Sequence, residues 1–507
     1  MGSSPIRVGV GIAVAWAAAV LGTPAAAAET GQLELKRLED RSQYVMSTGE
    51  PDYLFRRTYP QHFWTDTSRP EGTVGGGDFA SVVKKEPASY QCEHPFRAVA
   101  KLGSDHYAFV LDSTGIKSKG YDLLIFDRNR NGDLTDDPVI EAMKARGGVA
   151  VGTYVDREFP RVDLTIRADG KTFDYAFFVR AFTQFQKRRG SSFMVNVSLS
   201  AAAYRQGEVV VDGKRRRIAV IDFNSNGRFD DAFEIDEQRR WGDAQVHPKR
   251  GDMLLVDFDT SDHRHAGFAI LDRKERHPLS KLVCVDGRFY KLDVSAAGDT
   301  IAFTRASRGL GFVTNPNKRY EAVVYSDKGF VRISGSKAKP VPLPEGDWRL
   351  FECAIDLTEP PPPRSRPTTT ASKPSDPKRD SVAAKVVAAL FGRRSDRNAS
   401  RYGPTRVKAS GTYGHPPVKV RKGETAELPF GPPYKPTVRV AYVQPAQQAR
   451  GGKSGAGRMA QLELQILGAA REICTDLMVN GNRPRAPSFE IATPKGKVIE
   501  RGKFRYG

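Results

Sequence analysis

Cysteine is scarce in this chain, which has four in 507 residues: Cys92, Cys284, Cys353 and Cys474. No two of them stand in the Cys-x-x-Cys spacing of structural zinc sites, which argues against a zinc-binding module. An even number of cysteines still permits disulfides in an oxidising compartment, and several pairings are open. We expect Cys353 to pair with Cys474, because both lie in strand-like runs of the C-terminal half.

Sequence motifs of catalysis are lacking as well. The chain has no Gly-x-Ser-x-Gly, His-Glu-x-x-His or Gly-x-Gly-x-x-Gly. Gly452-Lys453-Ser454 is similar to the end of a phosphate-binding loop, but Gln447 stands where the first glycine belongs, so we interpret this stretch as a flexible loop. Paired catalytic carboxylates that are brought together only by folding leave no such motif. The sequence therefore assigns no catalytic residue and favours a non-enzymatic protein, with a secreted hydrolase as the alternative.

Long apolar runs are missing beyond the first residues. Val8 to Leu21 is a small-residue apolar stretch, preceded by Arg7 and followed by Ala26-Ala-Ala28, which is the pattern of a secretory signal peptide. The stretch is shorter than the roughly 20 residues of a membrane-spanning helix. We therefore predict a signal peptide at residues 1–28, no transmembrane span in the mature protein, and a secreted, periplasmic or cell-envelope location. An uncleaved N-terminal anchor is the alternative.

Acidic residues are outnumbered by basic ones. The chain has 79 Lys and Arg residues and 59 Asp and Glu residues, and its formal net charge is +20. Exported chains with this balance tend to adhere to anionic surfaces. We expect the partner to be an acidic polysaccharide or another envelope component, and we do not expect a nucleic acid. The alternative is that the charge serves solubility alone.

Short alternating strands are abundant. Apolar and polar residues alternate over Val162 to Ile166 and over Phe289 to Val294. Asp-Gly pairs at 169–170, 212–213 and 286–287 each lie between such runs and favour tight hairpins. Long helical periodicity is absent. We predict an all-β fold, in which an antiparallel β domain is followed by a smaller β-sandwich and a disordered insertion interrupts the second part.

The composition divides the chain into segments. We predict an irregular N-terminal arm at 29–87, a β-rich domain at 88–315, a β-sandwich at 316–358 and 408–507, and a disordered insertion at 359–407. The insertion opens with Pro360 to Pro363, is basic, and contains few residues that could be buried. Within it, Val382 to Phe391 could form a short apolar helix that contacts a membrane or a partner, or a helix that frays without consequence.

Two patterns characterise the second β module: Val341-Pro-Leu343-Pro-Glu345-Gly346-Asp-Trp348 and Val418-Lys-Val420-Arg-Lys-Gly423-Glu-Thr425. At these residues the module resembles the prealbumin-like β-sandwiches that occur as regulatory domains in carboxypeptidases and in bacterial surface proteins. The resemblance implies a sandwich of two sheets and nothing about activity. The insertion departs from the compact pattern of that family.

Two nearly identical stretches point to chemistry: Asp127-Arg-Asn129-Arg-Asn131-Gly132 and Asp222-Phe-Asn224-Ser-Asn226-Gly227. Each follows an apolar run and has an aspartate at the tenth position. Oxygen donors at alternate positions, followed by a glycine where the chain turns back, can wrap around a calcium ion. We predict two calcium sites, with position 7 contributing its backbone carbonyl. The predicted ligands are Asp127, Asn129, Asn131, Asp133 and Asp136 in the first loop, and Asp222, Asn224, Asn226, Arg228 and Asp231 in the second.

These loops resemble the Asp-x-Asp-x-Asp-Gly calcium loops of EF-hands, dockerins and thrombospondin-type repeats. They depart from the EF-hand at position 12, where Pro138 and Phe233 replace the bidentate glutamate. Asp136 and Asp231 are the candidate closing carboxylates instead, with Asp137 and Asp230 beside them. Two asparagines in each loop lower the negative charge, so we expect weak affinity, on the order of 10⁻⁴ to 10⁻³ M. The alternative is a pair of metal-free hairpin turns held by Asn-Gly and side-chain caps.

A third segment, Leu254 to His265, has acids at related spacing but lacks the glycine. His263 and His265 would share one face of a strand and could bind a transition metal, or the segment is a solvated loop. Together these features predict an exported, non-enzymatic calcium-binding protein, in which calcium stabilises loops of a β domain used for binding or envelope structure. The alternative is a hydrolase with an active site within 88–315 and an accessory sandwich.

Overall fold

The computed structural model describes residues 28–39, 55, 58–66, 69–74, 78–143, 154–185, 193–237, 245–259, 270–306, 309–356, 405–443 and 459–504. Several predicted segments lie outside the described residues: the signal peptide apart from residue 28, residues 359–404 of the insertion with its apolar stretch, the segment from Gln447 to Ser454, and His263 and His265. Within the described part of the chain, none of the helices is both long and apolar enough to cross a membrane.

Strands dominate the described chain, as the alternating pattern predicted. In the N-terminal part they are β1 (Glu29–Gln32), β2 (Glu34–Arg37), β3 (Gln61–Asp66), β4 (Arg69–Val74), β5 (Phe96–Leu102), β6 (Asp105–Asp112), β7 (Leu123–Phe126), β8 (Ile140–Glu141), β9 (Tyr154–Glu158), β10 (Val162–Ala168), β11 (Lys171–Phe185), β12 (Phe193–Ala201), β13 (Ala203–Val211), β14 (Lys214–Ile221), β15 (Glu234–Ile235), β16 (Pro248–Lys249), β17 (Met253–Val256), β18 (Arg276–Pro278), β19 (Leu282–Val285), β20 (Arg288–Val294) and β21 (Thr300–Arg305).

The C-terminal part continues the series. Its strands are β22 (Leu310–Thr314), β23 (Arg319–Ser326), β24 (Gly329–Gly335), β25 (Val341–Pro344), β26 (Gly346–Asp356), β27 (Arg406–Ser410), β28 (Val418–Val420), β29 (Thr425–Glu427), β30 (Lys435–Val443), β31 (Met459–Leu467), β32 (Ile473–Met478), β33 (Ser488–Ala492) and β34 (Val498–Lys503). Short helices occur at Phe79–Val82 and Ile116–Lys119, and a 3₁₀ turn at Ile270–Asp272. The prediction of an all-β fold is confirmed.

The three Asp-Gly pairs form the predicted hairpins. They connect β10 to β11, β13 to β14 and β19 to β20, each between directly paired residues. Both residues of each pair have positive φ, for example 48° at Asp169 and 78° at Gly170. Two consecutive positive φ values define the type I′ turn, whose twist matches that of the flanking strands. The turn residues therefore set the register of these hairpins.

Four larger sheets build the N-terminal part. Their strand orders are β1-β21-β20-β19, β5-β6-β7-β8, β18-β17-β14-β13-β2, and β10-β11-β12-β3-β4 with β9 also paired to β11. The segment 29–87, which we expected to be an irregular arm, supplies β1 to β4 to three of these sheets. The reason is that strands of four to six residues added to existing sheets need no readable alternation of their own.

The C-terminal module packs two sheets on each other. One has the order β24-β23-β26-β27-β32-β31-β30 with β28 paired to β26, and the other has the order β25-β22-β29. Trp348, Leu343 and Val420, which belong to the two patterns quoted above, are buried in the apolar core between them. A separate core that includes Tyr204, Val323 and Phe351 joins this module to the N-terminal sheets. The module starts with β22, slightly earlier than predicted.

The expected disulfide between Cys353 and Cys474 is not present, and all four cysteines are free thiols. Cys353 on β26 and Cys474 on β32 both pair with Ala409 of β27, which lies between them. Two strand spacings separate their backbones by about 9.6 Å. A disulfide requires Cα atoms within about 7 Å, so the intervening strand excludes the bond.

Candidate metal centres

The two predicted loops begin where a buried strand ends. The first loop (residues 127–136) follows β7, and the second loop (residues 222–231) follows β14. Asp127 and Asp222, the first residues of the loops, have no exposed surface. The last residues of both strands, 124–126 and 218–221, are apolar and buried, so the first polar residue after each strand is still inside the protein. A carboxylate in such a place needs hydrogen bonds or a cation.

The backbone follows the same path in both loops. Position 4 has a φ of 59° at Arg130 and 60° at Ser225, and position 6 has a φ of 79° at Gly132 and 80° at Gly227. A left-handed conformation at a non-glycine residue is uncommon and must be held by surrounding bonds. The likeness of the two sequences therefore corresponds to a shared loop geometry.

Hydrogen bonds from the turning backbone hold the side chain at position 1. The N–H of Gly132 donates to Asp127 Oδ2 at 3.0 Å, and the N–H of Gly227 donates to Asp222 Oδ2 at 2.7 Å. The side-chain oxygens at positions 3 and 5 accept bonds from the backbone two residues further on, for example Asn131 N to Asn129 Oδ1 at 2.9 Å. These bonds turn the side chains of positions 1, 3 and 5 toward the inside of the loop.

The side chains at positions 3, 5 and 10 meet in each loop. In the first loop, Asn129 Nδ2 and Asn131 Nδ2 lie 3.4 and 2.7 Å from Asp136 Oδ2. In the second, Asn224 Nδ2 and Asn226 Nδ2 lie 3.1 and 2.6 Å from Asp231 Oδ2. The amide nitrogens, rather than the oxygens, face the carboxylate. Calcium binding would require the two amides to turn and present oxygen.

The position-1 carboxylates differ in what surrounds them. Asp127 Oδ1 is buried and has no hydrogen-bond partner. Both carboxylate oxygens of Asp222 accept hydrogen bonds. Oδ1 accepts from Asn226 N at 3.1 Å, and Oδ2 accepts from the Tyr175 hydroxyl at 2.6 Å in addition to Gly227 N. Burial raises the pKa of Asp222 to about 7. The first loop therefore has an open buried oxygen, and the second has a buried carboxylate whose negative charge is costly.

Sequence reasoning missed Asp252, which supports the second loop and directly precedes β17, the strand paired with β14. Its Oδ1 accepts from Phe223 N at 3.1 Å and its Oδ2 from Asp231 N at 2.9 Å. Burial, followed by repulsion from Asp222 and Asp231, raises its pKa well above the usual range. The only signal in the sequence was a Gly-Asp pair directly before an apolar strand, too far along the chain to be assigned to the loop.

In the first loop, the carboxylate of Asp137 has the role that Asp252 has in the second loop. Asp137 Oδ1 accepts from Arg128 N at 3.2 Å, and its Oδ2 is buried without a hydrogen-bond partner. Arg128 and Phe223 both occupy position 2, so each loop has an additional carboxylate that holds the same backbone N–H. In the first loop this carboxylate follows position 10 directly, and in the second it comes from another strand.

The side chains at position 7 form ion pairs and hydrogen bonds with residues other than the predicted ligands. Asp133 Oδ2 pairs with Lys85 Nζ at 2.9 Å, and hydrogen bonds from Thr135, followed by Lys85, lower the pKa of Asp133 to about 2. Arg228 bonds to Asp169 and Asp230, each contact at 2.7 to 2.9 Å. Only the backbone carbonyls at position 7 are left as candidate ligands, which is the role predicted for them.

The donor sets limit which ions could bind. Among the described residues, no group of three or more His, Cys, Asp and Glu side chains is placed to hold a metal ion. An ion in either loop would therefore depend on amide and carbonyl oxygens beside the carboxylates of positions 1 and 10. Hard cations such as calcium accept such oxygens, whereas transition metals prefer nitrogen and sulfur.

The third predicted segment shows a different arrangement. Asp257 has a φ of 51° and pairs with Arg216, while its Oδ1 accepts from Arg217 N at 3.3 Å. This carboxylate serves a surface ion pair with a neighbouring strand. The two histidines of the segment lie outside the described residues.

A cleft of about 800 Å³ lies between the N-terminal sheets and the C-terminal module. A hydrolase would need such a cleft for its substrate, so the residues that line it test the hydrolase alternative. Four acids line it, Glu234, Glu237, Asp327 and Asp347, and all four are exposed. Catalytic acids and bases are usually tuned by burial or by close charged neighbours. The cleft therefore provides no specific support for a catalytic role.

Searches against protein-family models, curated proteins and solved structures give no match for this chain. The resemblances to calcium loops and to prealbumin-like sandwiches therefore remain predictions from the sequence.

Proposed function

We propose that this protein is an exported, non-enzymatic calcium-binding protein in which each of the two loops takes up one calcium ion. The observation that carries the proposal is the shared geometry of the loops. Side chains at positions 3, 5 and 10 converge in both, around a buried carboxylate at position 1, on backbones with matching φ values. Two independent metal-free turns would not need to match in all of these respects.

The electrostatics of both loops favour a cation. A buried donor or acceptor left without a partner costs about 1–3 kcal/mol, and more for a charged group. Asp127 Oδ1 is such an atom in the first loop. In the second loop, Asp222 and Asp252 are completely buried and lie close to the Asp231 carboxylate. A bound calcium ion would offset the repulsion among these groups.

The ligands of the proposed ions are those that the spacing predicts. Positions 1, 3, 5 and 10 would bind through side-chain oxygens and position 7 through its carbonyl. Two carboxylates per loop imply weak binding, useful where calcium is abundant, as it is outside cells. The signal-like N terminus supports export, and the net charge of +20 supports an acidic polysaccharide or envelope component as partner.

The proposed role of calcium is structural. Loops that follow buried strands and have no flanking helix pair could not open a groove as sensor proteins do. The second loop bonds to three other segments: Gln61 Nε2 and Ala201 N donate to Ser225, and Gly103 N donates to Asn226 O. An ion that stiffens this loop would hold those segments in place.

The test is a calcium titration of the purified mature protein, followed by calorimetry and by thermal melting. Ligand binding to the native state raises the melting temperature once calcium exceeds the dissociation constant. The increase should disappear in the double variant Asp127→Ala plus Asp222→Ala. It should persist in the control Asp347→Ala, which removes an exposed carboxylate outside the loops. A wild-type melting temperature that does not respond to calcium would overturn the proposal.

A further inference from the structure

Among the described residues, one face of the sheet formed by β9, β11, β12 and β3 has exposed side chains. The residues of its inner face, such as Ala181, Val195, Val197 and Phe63, belong to the main apolar core. Alternate residues of the same strands point away from this core, because side chains alternate along a strand. The exposed face is confined to the second half of β11, since Phe178 of the first half is buried in the core shared with the C-terminal module.

The register of the strands groups the outward side chains into rows. Phe182 pairs with Asp156 on one side and with Asn196 on the other, and Asn196 pairs with Trp64. The next row contains Tyr154, Gln184 and Met194. Directly paired residues share a face of the sheet, so these side chains form one surface. We call it the aromatic platform: Tyr154, Asp156, Arg180, Phe182, Gln184, Met194, Asn196, Trp64 and His62.

Large apolar side chains of the platform are exposed. The exposed fractions are 41% for Tyr154, 42% for Trp64 and 42% for Met194. The rings of Tyr154 and Phe182 stack with their centroids 5.4 Å apart. Trp64 lies two strands from Phe182, at a backbone separation of about 9.6 Å. Exposed aromatic rings grouped on one face of a sheet, with polar groups between them, make this face a candidate binding surface.

The polar groups between the rings are amides and a balanced ion pair. Asn196 lies between Phe182 and Trp64, and its Oδ1 is 3.3 Å from His62 Nδ1. Gln184 is exposed in the adjacent row. Arg180 donates to both oxygens of Asp156, at 2.9 and 2.6 Å. Among the described side chains of the platform, the single arginine is therefore neutralised by its pairing with Asp156, although the whole chain has a net charge of +20.

We propose that the aromatic platform binds a neutral polysaccharide. A sugar ring has one apolar C–H face surrounded by hydroxyl groups. Trp and Tyr provide flat apolar area with little loss of side-chain entropy, and amides both donate and accept hydrogen bonds. One sugar would stack on Trp64 and another on the Tyr154–Phe182 pair, with Asn196 and Gln184 bonding to hydroxyls. This inference goes beyond the proposed function, whose expected partner is acidic, and it places no calcium ion at the platform.

The test measures depletion of the protein from solution by microcrystalline cellulose and by chitin, at physiological salt and with saturating calcium. The protein should bind at least one of the two. Trp64→Ala and Tyr154→Ala should each weaken the binding by about tenfold, the loss of a stacking contact of about 1.4 kcal/mol. The matched control is Phe312→Ala, which removes an equally exposed aromatic ring from the C-terminal module. Unchanged calcium calorimetry in the platform variants would show that the two proposals are independent.

Three outcomes would overturn the inference. The first is binding to neither polymer, and the second is binding that both platform variants leave intact. The third is self-association of the wild type, seen by sedimentation and abolished by Trp64→Ala, which would assign the platform to a second copy of the chain. Adsorption to anionic polygalacturonate alone would place polymer binding elsewhere on the basic surface.

Discussion

The side-chain amide of Gln61 donates a 2.6 Å hydrogen bond to the backbone carbonyl of Ser225, which occupies position 4 of the second loop. Gln61 is the first residue of β3, the strand that carries Trp64. The Ser225 hydroxyl accepts a 3.0 Å bond from the N–H of Ala201, the last residue of β12. One residue of the second loop thus contacts the ends of two strands of the aromatic platform.

Exchanging the position-5 asparagines for aspartates should separate the calcium hypothesis from the metal-free alternative. In Asn131→Asp plus Asn226→Asp, an added carboxylate replaces the amide that donates to position 10. Without calcium the variant should be less stable, because a charge-assisted bond of about 1.5–3 kcal/mol becomes a repulsion. With calcium its affinity should rise above that of the wild type, because each site gains a negative ligand.

The measurement is thermal melting of this variant with excess calcium and with a chelator, together with calorimetry. The equivalent exchange at an exposed amide outside the loops, Gln184→Glu, serves as a control for added charge. If the double variant lost the same stability in both conditions, the loops would be metal-free clasps held by asparagine.

Asp252→Ala should be among the more destabilising substitutions near the second loop. It removes a fully buried acceptor from the N–H of Phe223, in a buried site, and from the N–H of Asp231, in a part-buried one. Two donors left unsatisfied at such sites cost about 1–3 kcal/mol each, so we expect a loss of about 3 kcal/mol in the free energy of unfolding. Urea denaturation measures it.

The matched control for that substitution is Asp137→Ala, which removes an acceptor from only one backbone N–H, that of Arg128. Its loss should be about 1 kcal/mol. Equal losses in the two variants would contradict the view that Asp252 supports the loop through both of its oxygens.

The general architecture was readable from the sequence because it depends on local signals. Asp169-Gly170 and the two similar pairs specify their hairpins through their own φ preferences, and the alternation around them indicates buried and exposed faces. The convergence of Asn131 with Asp136 was also predictable, since both lie in one short loop.

What the sequence did not show depends on contacts between distant segments. Asp252 reaches its loop only because β17 pairs with β14. The short strands β1 to β4 are stabilised by sheets formed elsewhere, and the separation of Cys353 from Cys474 depends on β27 lying between them. No local pattern encodes such neighbours, because strand order is a property of the whole fold.

Acidification should remove the stabilising contribution of two histidines, and it should add one from Asp222, whose carboxyl has a pKa raised by burial to about 7. Burial, followed by the charge of Arg332, lowers the pKa of His277 to about 4, and burial lowers the pKa of His415. An unfolded histidine titrates near 6.5. As the pH falls from about 6.5 toward 4, the unfolded chain therefore takes up protons at these two positions that the folded protein does not, and the contribution of the two histidines to the free energy of unfolding decreases.

Urea denaturation at pH 7 and at pH 5 measures this effect. We expect His277 to account for about 1–2 kcal/mol of the loss at pH 5, after allowance for its partial exposure. The variant His277→Gln should therefore lose less stability, or gain more, between pH 7 and pH 5 than the wild type, by about that amount. An identical pH dependence in the variant and the wild type would contradict the burial of His277 as a neutral imidazole.

The two loops should differ in their effect on the aromatic platform. Asp222→Ala disturbs the loop that holds β3 through Gln61 and β12 through Ala201, whereas Asp127→Ala disturbs a loop whose backbone bonds go to Lys84 and Lys85. With saturating calcium, Asp222→Ala should weaken adsorption to the neutral polysaccharide several-fold, and Asp127→Ala should leave it nearly unchanged. Depletion isotherms measure both, with circular dichroism to establish that each variant is folded. Equal losses in the two variants would mean that the loops act on the global stability of the domain, and a loss in Asp127→Ala alone would contradict the coupling through Ser225.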